Sequence, residues 1–217
     1  MNKEIFNLLT EDVPETKILR NKLKVDDIKQ IANYLVDRGV TVNSGCINKA
    51  NSVVTSYPVI DVWTDGSCLS NPGAGGWGAI IKIDKDKKEI SGGASHTTNN
   101  KMELTAVIQS LKYIKENLKA NCKEKIKVHI TTDSKYVCDS VNKGWVNSWK
   151  NNGWIKSDGK QALNVDLWEQ LLSLLDEFDV TFSWIKGHAG HIENERCDSL
   201  AVEQSRKMQA LNLDLTV

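Results

Sequence analysis

Four acidic residues stand where an acid is a poor structural choice or borders an apolar face: Asp65, Glu103, Asp133 and Asp198. Asp65 follows Val59-Ile60-Asp61-Val62-Trp63-Thr64, a short β-branched apolar run after Pro58 that reads as a buried strand. An ionised carboxylate at the end of a core strand is costly to bury unless positive charge accompanies it. Taken alone, Thr64-Asp65-Gly66-Ser67 has a simpler reading, an Asp that hydrogen-bonds its own turn. Asp133 ends a second strand, Lys127 to Thr132. Glu103 falls in the first turn of a helix starting near Asn99, where the plain reading is a favourable interaction with the helix N-terminus. Asp198 sits in the last helix between Cys197 and Ser199-Leu200-Ala201, where a lone Asp is ordinarily solvated. Four carboxylates that converge repel one another unless cations lie among them. Hard divalent cations with oxygen ligands, Mg²⁺ or Mn²⁺, meet that need. Two such ions about 4 Å apart suit in-line phosphodiester cleavage.

The elements that must position these acids follow from apolar periodicity. From Val59 the chain reads as strands: Val59 to Trp63, Gly76 to Ile83, and a more polar third from Glu89 to His96. Cys68 to Gly78, with four glycines, Pro72 and Asn71, reads as a tight loop, and Asp84-Lys85-Asp86-Lys87-Lys88 as an exposed hairpin loop. Helical period runs from Asn99 to Lys119, Tyr136 to Val141, Val165 to Phe178 and Asn194 to Met208, with a fifth strand from Val180 to Ile185. The order βββαβααβα predicts an α/β fold with a mixed sheet, in which strands one, four and five are parallel and helices cover the faces. The carboxyl ends of parallel strands are where such sheets bind ligands, so Asp65 and Asp133 are expected side by side.

Residues 1–57 differ from the rest. Ile5, Leu8 and Leu9 predict a short helix before Pro14, and Glu15 to Leu23 a second. The clearest helix is capped at Asp26 or Asp27, carries Ile28, Ile31, Ala32 and Leu35 on one face, and stops at Gly39. Segment 41–57 reads as a linker with at most one short strand. This small, mainly helical N-terminal extension has eight basic and seven acidic residues, a net +1, and no role is assigned to it.

Composition sets the outer limits. The 217 residues suit one domain plus a small addition, and 28 basic against 28 acidic residues leave no net charge to draw a polyanion, so local clustering must decide. Five cysteines (46, 68, 122, 138, 197) without CxxC spacing read as reduced thiols of a cytoplasmic protein rather than as disulfides or a zinc site. No apolar run reaches membrane-spanning length, so no membrane is expected as a partner. The expected oligomeric state is a monomer.

Four ordered motifs carry a resemblance: Thr64-Asp65-Gly66-Ser67-Cys68 with Asn71-Pro72-Gly73; Thr97-Thr98-Asn99-Asn100-Lys101-Met102-Glu103-Leu104; Thr132-Asp133-Ser134-Lys135-Tyr136-Val137; and Trp184-Ile185-Lys186-Gly187-His188-Ala189-Gly190-His191 with Asn194-Glu195-Arg196-Cys197-Asp198. Together they resemble type 1 ribonuclease H of the bacterial type over roughly residues 59–205. The resemblance implies a five-stranded sheet of order 3-2-1-4-5, a catalytic domain over 58–217, and cleavage of the RNA strand of RNA–DNA hybrids. It implies two Mg²⁺, with Mn²⁺ as a substitute, and products with 5′-phosphate and 3′-hydroxyl ends. It implies further that Asp65 is shared by both metals, that Asp198 serves the ion that activates water, and that Glu103 and Asp133 serve the ion facing the leaving 3′ oxygen. His188, on a glycine-flanked loop, matches a histidine that assists proton movement or product departure, and Glu195 matches an acid near the same metal. The plain reading of His188 is a surface histidine.

The resemblance also extends to substrate contacts. Lys143-Gly144-Trp145-Val146-Asn147-Ser148-Trp149-Lys150 and the residues to Lys156 are similar to a basic protrusion that grips the DNA strand. From 143 to 160, four lysines (143, 150, 156, 160) against Asp158 leave +3. Lysines meet phosphates, and Trp145 and Trp149, four apart on one helical face, would pack on deoxyribose. The alternative is that these tryptophans form the protrusion's own core, which is the expectation for Trp154. Asn151 and Asn152 stand where bacterial relatives often carry basic residues, which implies weaker hybrid affinity. Thr98 and Asn100 match a pocket for a DNA phosphate, and Asn71 and Asn99 match residues that touch the hybrid's sugars or bases. Two other classes predict different residues. An idle nucleic-acid-binding module would have lost at least one acid. An integrase-like polynucleotidyl transferase would ordinarily lack the Trp-rich protrusion and the Gly-His-Ala-Gly-His loop.

Overall fold

In a computed structural model, the described residues are 59–83, 85–117 and 125–214, with only the backbone of Asp214. The helices and linker expected within residues 1–57 lie outside them. Five strands and five helices follow in order: β1 (Ile60–Cys68), β2 (Gly73–Ile83), β3 (Asp86–Thr97), α1 (Asn99–Asn117), β4 (Lys127–Thr132), α2 (Lys135–Asn142), α3 (Trp145–Asn151), α4 (Val165–Glu177), β5 (Asp179–Trp184) and α5 (Ile192–Asp214). The sheet order is β3-β2-β1-β4-β5. The β1–β2 and β2–β3 pairs are antiparallel, and β1–β4 and β4–β5 are parallel, as the element order predicts.

Two predicted loops are largely strand. Cys68 pairs with Gly75 and Gly73 with Thr97, so only residues 69–72 connect β1 to β2. Lys82 pairs with Lys87 and Ile83 with Asp86, which shortens the hairpin loop to residues 84 and 85. Glycine was read as a loop signal, but here it serves close packing. A Cβ on Gly76 would meet the Ala201 carbonyl oxygen at 2.2 Å, and one on Gly78 the Cys197 carbonyl oxygen at 2.5 Å, so these glycines let the backbone of α5 lie against β2. Gly66, which faces the other way, does the same for α1: its Cβ would meet the Glu103 amide nitrogen at 2.4 Å. Because side chains alternate across a strand, α1 and α5 cover opposite faces of the sheet.

The apolar core lies on the α1 side. Ile60, Val62, Ile81, Val128 and Ile130 from the strands meet Leu104, Val107, Ile108 and Leu111 of α1, Val137 of α2, and Trp168 and Leu171 of α4. Trp168 is fully buried and makes ring contacts with Tyr136 (5.3 Å, tilted) and Trp149 (6.1 Å, edge-on). Burial at about 25 cal/mol per Å² makes this interior the chief source of stability. It also fixes the strand register from which the acids project. Among the described residues, no helix is long and apolar enough to cross a membrane.

Candidate active site

The parallel ladder between β1 and β4 ends at the pair Thr64–Thr132. The next residue on each strand is an acid, so the register alone sets Asp65 beside Asp133. β4 stops there, but β1 continues to Cys68. Asp65 therefore lies inside its strand, opposite Gly78 of β2, rather than at its end. Glu103 is the fifth residue of α1, one turn further in than expected, and the first turn holds no acid. It owes its place to packing at Gly66 rather than to the helix N-terminus. One carboxylate oxygen from each of Asp65, Glu103 and Asp133 lies within 4.8 Å of the other two.

Asp65 and Glu103 are 6% and 5% exposed, and among the described residues no basic side chain forms an ion pair with any of the three acids. Burial, reinforced by Asp133 and more weakly by Asp198, pushes the Asp65 carboxyl up to about 8, although the Gly66 amide donates to its Oδ1 at 2.7 Å. Burial and then the charges of Asp65 and Asp133 hold Glu103 well above the usual carboxylate range. Its Oε2 is buried without a hydrogen-bond partner, while Asn99 donates to its Oε1 at 3.4 Å. Buried acceptors without donors are costly. An orphaned carboxylate oxygen amid three hard oxygen donors fits a divalent cation of the Mg²⁺ type. Such a charge inverts the local preference and favours the ionised forms.

Asp198 stands apart from this trio. It is partly buried on α5 and acts on Asp65 through its charge, but it is not among the three acids within 4.8 Å. Glu195, also on α5, is exposed; its carboxylate accepts from the Gly190 amide at 3.0 Å and so braces the loop that carries His188. His188 is exposed and has a positive φ of 52°.

The surroundings of Asp133 reveal residues that spacing did not single out. Asn194, 2% exposed, donates from Nδ2 to Asp133 Oδ2 at 3.2 Å, and its own Oδ1 is buried without a partner. Trp184 donates from Nε1 to the Asp133 carbonyl at 2.9 Å, and the Lys135 ammonium lies over the Trp184 ring at 4.6 Å. A Cβ on Gly187 would meet Asp133 Oδ2 at 2.4 Å, so a larger residue there would shift that carboxylate. The available signal for Asn194 was its position four residues before Asp198, one helical turn away.

The predicted substrate contacts divide into two groups. Beside the acids, Asn71 Oδ1 accepts from the Asn99 amide at 3.2 Å, Thr98 Oγ1 accepts from the Lys101 amide at 3.4 Å, and Asn100 is exposed on the same first turn of α1. On the protrusion, Trp145 is 44% exposed with Lys143 over its ring at 4.9 Å, and Lys143 also pairs with Asp139 at 2.9 Å. Lys150 is exposed, and Lys156 pairs with Asp158 at 3.5 Å. Trp149 is half-buried, packed edge-on against Trp168, and Trp154 also packs on the core. The shared face predicted for Trp145 and Trp149 is therefore divided between solvent and interior.

Comparisons with known proteins give the family. Residues 58–206 match the family model described as RNase H. The ribonuclease H of Desulforamulus reducens is 46% identical over 153 residues, spanning 70% of this chain and 91% of that protein. The ribonuclease H of Nitratidesulfovibrio vulgaris strain DP4 is 49% identical over 148 residues, spanning 68% and 90%. Among solved structures, LC9-RNase H1, a type 1 RNase H with the type 2 active-site motif, shares 28% identity at a TM-score of 0.62 over 72% of this chain and 76% of that one. LC11-RNase H1 in complex with an RNA/DNA hybrid shares 21% identity at a TM-score of 0.54 over 68% and 97%, a likeness of fold.

Proposed function

The chain belongs to the ribonuclease H family, and from that premise we propose that it hydrolyses the RNA strand of RNA–DNA hybrids, endonucleolytically and independently of sequence. Two Mg²⁺, replaceable by Mn²⁺, would be held by Asp65, Glu103, Asp133 and Asp198. Asp65 would contribute to both, Asp198 would serve the side of the attacking water, and Glu103 and Asp133 would serve the side of the leaving 3′ oxygen. Such ions would supply charge for the in-line displacement, and hydrolysis would yield 5′-phosphate and 3′-hydroxyl ends. The observation that carries this reading is the carboxylate trio, two of its members buried, with no basic partner among the described residues.

The chain's own groups do the rest. Asn194 and the Trp184 indole fix Asp133 from two sides. Asn71, Asn99, Thr98 and Asn100 line the approach to Glu103 and contact the hybrid's backbone and minor-groove edge. RNA is told from DNA by its 2′-hydroxyls rather than by sequence. Trp145 with Lys143, Lys150 and Lys156 grips the DNA strand, and Trp149 anchors the same helix on Trp168. His188, on its braced loop, takes or gives a proton as product leaves, which suits an imidazole near neutral pH. Glu195 acts by holding that loop.

Residues 58–217 form the catalytic domain in this proposal, residues 1–57 are an appendage, and the enzyme acts as a cytoplasmic monomer. The deciding experiment is cleavage of a labelled RNA–DNA hybrid beside duplex RNA and duplex DNA, with Mg²⁺ and with EDTA. Cleavage confined to the hybrid and abolished by EDTA is expected. Hybrid cleavage that persists in EDTA, or equal cleavage of duplex DNA, overturns the proposal.

A further inference from the structure

Helix α5 brings Asn194 and Asp198 to the carboxylate site, yet it rests on a part of β2 lined by Gly76 and Gly78. Glycines set how near a helix comes. They have no side chain to set how far it is rotated about its axis, and a rotation would move Asp198 and Asn194 together. Directional contacts must supply that setting, and polar pairs do so along β3. Arg196 donates from Nε and Nη2 to both oxygens of Glu89 at 3.2, 3.1 and 2.8 Å, and Lys87 holds Glu89 Oε1 from the other side at 3.3 Å. Further along, Gln204 Nε2 donates to Ser91 Oγ at 3.0 Å and Asn212 Nδ2 to the Ser95 carbonyl at 2.7 Å. On β2, Lys82 pairs with Glu193. The partners on α5 fall at 196, 204 and 212; on β3, Glu89 and Ser91 are alternate positions on one side of the strand, and Ser95 offers its backbone carbonyl.

The charged end of this rail lies at the first turns of α5, where Glu193 and Arg196 alternate with Asn194, Glu195 and Asp198. An isolated exposed pair adds little to stability, but the planar guanidinium fork fixes geometry when it is bidentate. We propose that Glu89 and Arg196 are positioning residues for the metal site: their bidentate pair sets the rotation of α5 and thereby the reach of Asp198 and Asn194 toward Asp65 and Asp133. Breaking it costs metal affinity more than it costs fold. This inference rests on the metal-binding reading above.

The test uses the full chain and titration calorimetry with Mg²⁺ alone, in parallel with thermal unfolding. Arg196→Gln and Glu89→Gln are each expected to weaken Mg²⁺ binding by about threefold to fivefold, as loss of a good surface pair allows. The exchanged double variant Glu89→Arg/Arg196→Glu is expected to return to within about twofold of wild type, since a double-mutant cycle isolates the pair. Lys207→Gln, which breaks the Lys207–Glu203 pair on the same helix, serves as the control and is expected to bind like wild type. If wild type binds no Mg²⁺, the metal reading fails and this inference with it. If wild type binds Mg²⁺ and both single variants bind it equally well, with only a lowered melting temperature, this inference alone is overturned. Equal weakening by Lys207→Gln overturns it as well.

Discussion

Asp65 and Glu103 are nearly sealed from solvent, while Trp145 on the protrusion is 44% exposed, and the two regions are held by different forces. The carboxylate floor is rigid because strand register and glycine contacts leave it no alternative: Thr64 faces Thr132, and α1 touches Gly66. Its charges are strained against that rigidity, with Asp65 pushed up to about 8 by burial first and Asp133 second. The protrusion has no such strain. Its lysines are exposed or paired on the surface, and Val146, Trp149 and Trp154 tie it to the core. In the proposed function, chemistry that needs a preorganised charge is built into the interior, and recognition of a long polyanion is left to side chains that can adjust.

The sharpest way to break that comparison is Asp65→Asn, which keeps the shape and removes the shared charge. Hybrid cleavage should fall by about 10³-fold or more, since the metals supply several kcal/mol at 1.36 kcal/mol per decade. Wild-type turnover by this variant would refute the assignment. The same variant tests the strain. The folded Asp65 carboxyl titrates above its ordinary value, so its contribution to stability is present at acid pH and lost as pH rises toward about 8. In EDTA the wild-type melting temperature should fall between pH 5 and pH 9, and the fall should be shallower in Asp65→Asn. A wild-type melting temperature that rises over that window contradicts the buried, raised carboxyl.

Gly187→Ala should come next in size. Its new Cβ must displace the Asp133 carboxylate, and misplacement by about 1 Å can cost about 10²-fold in rate. Kinetics that match wild type would show that Asp133 has freedom the packing denies. His188→Ala should slow turnover by about tenfold without abolishing it, because a positioned acid–base group contributes less than the metals. Identical rates from pH 6 to pH 9 would remove His188 from the mechanism.

On the protrusion, two neighbouring tryptophans should separate. Trp149→Ala should lower stability by about 2–3 kcal/mol, below the range for a fully buried tryptophan because it is half-exposed. Trp145→Ala should leave the melting temperature nearly unchanged and raise KM several-fold. Reversed outcomes would mean that the protrusion binds through its interior face. The smallest effect is expected from removing residues 1–57. The appendage is near neutral, so the 58–217 fragment should fold and cleave with kcat near wild type, with any loss confined to KM. An aggregated or inactive fragment would mean that residues 1–57, with the predicted apolar face of Ile28, Ile31, Ala32 and Leu35, belong to the catalytic fold.

Much of this molecule was legible in its sequence, because local order leaves local marks. Alternation and helical period predicted every strand and the helices α1, α2, α4 and α5, although β1 runs five residues and α5 six residues past their predicted ends, and the element order implied the parallel trio β1, β4 and β5. Asp65 stood out because burying an acid at the end of a core strand needs a reason, Asp133 because it ends a parallel strand in the same way, and Glu103 through its motif. What escaped was non-local. The glycines of Cys68 to Gly78 read as a loop, because a sequence does not show that another helix lies against them. Glu103 read as an N-terminal acid, because its contact with Gly66 spans 37 positions in the chain. Trp145 and Trp149 looked equivalent until Trp168, some 20 residues on, took one of them into the core. Asn194 looked like a spacer until β4 brought Asp133 to its amide. The residue types and their spacing determined which groups could hold a metal and cleave a phosphodiester. The register of β1 on β4, and the seat of α5 on β2 and β3, decided which of those groups meet, because distances across a sheet are set by packing between segments that carry no mark of one another.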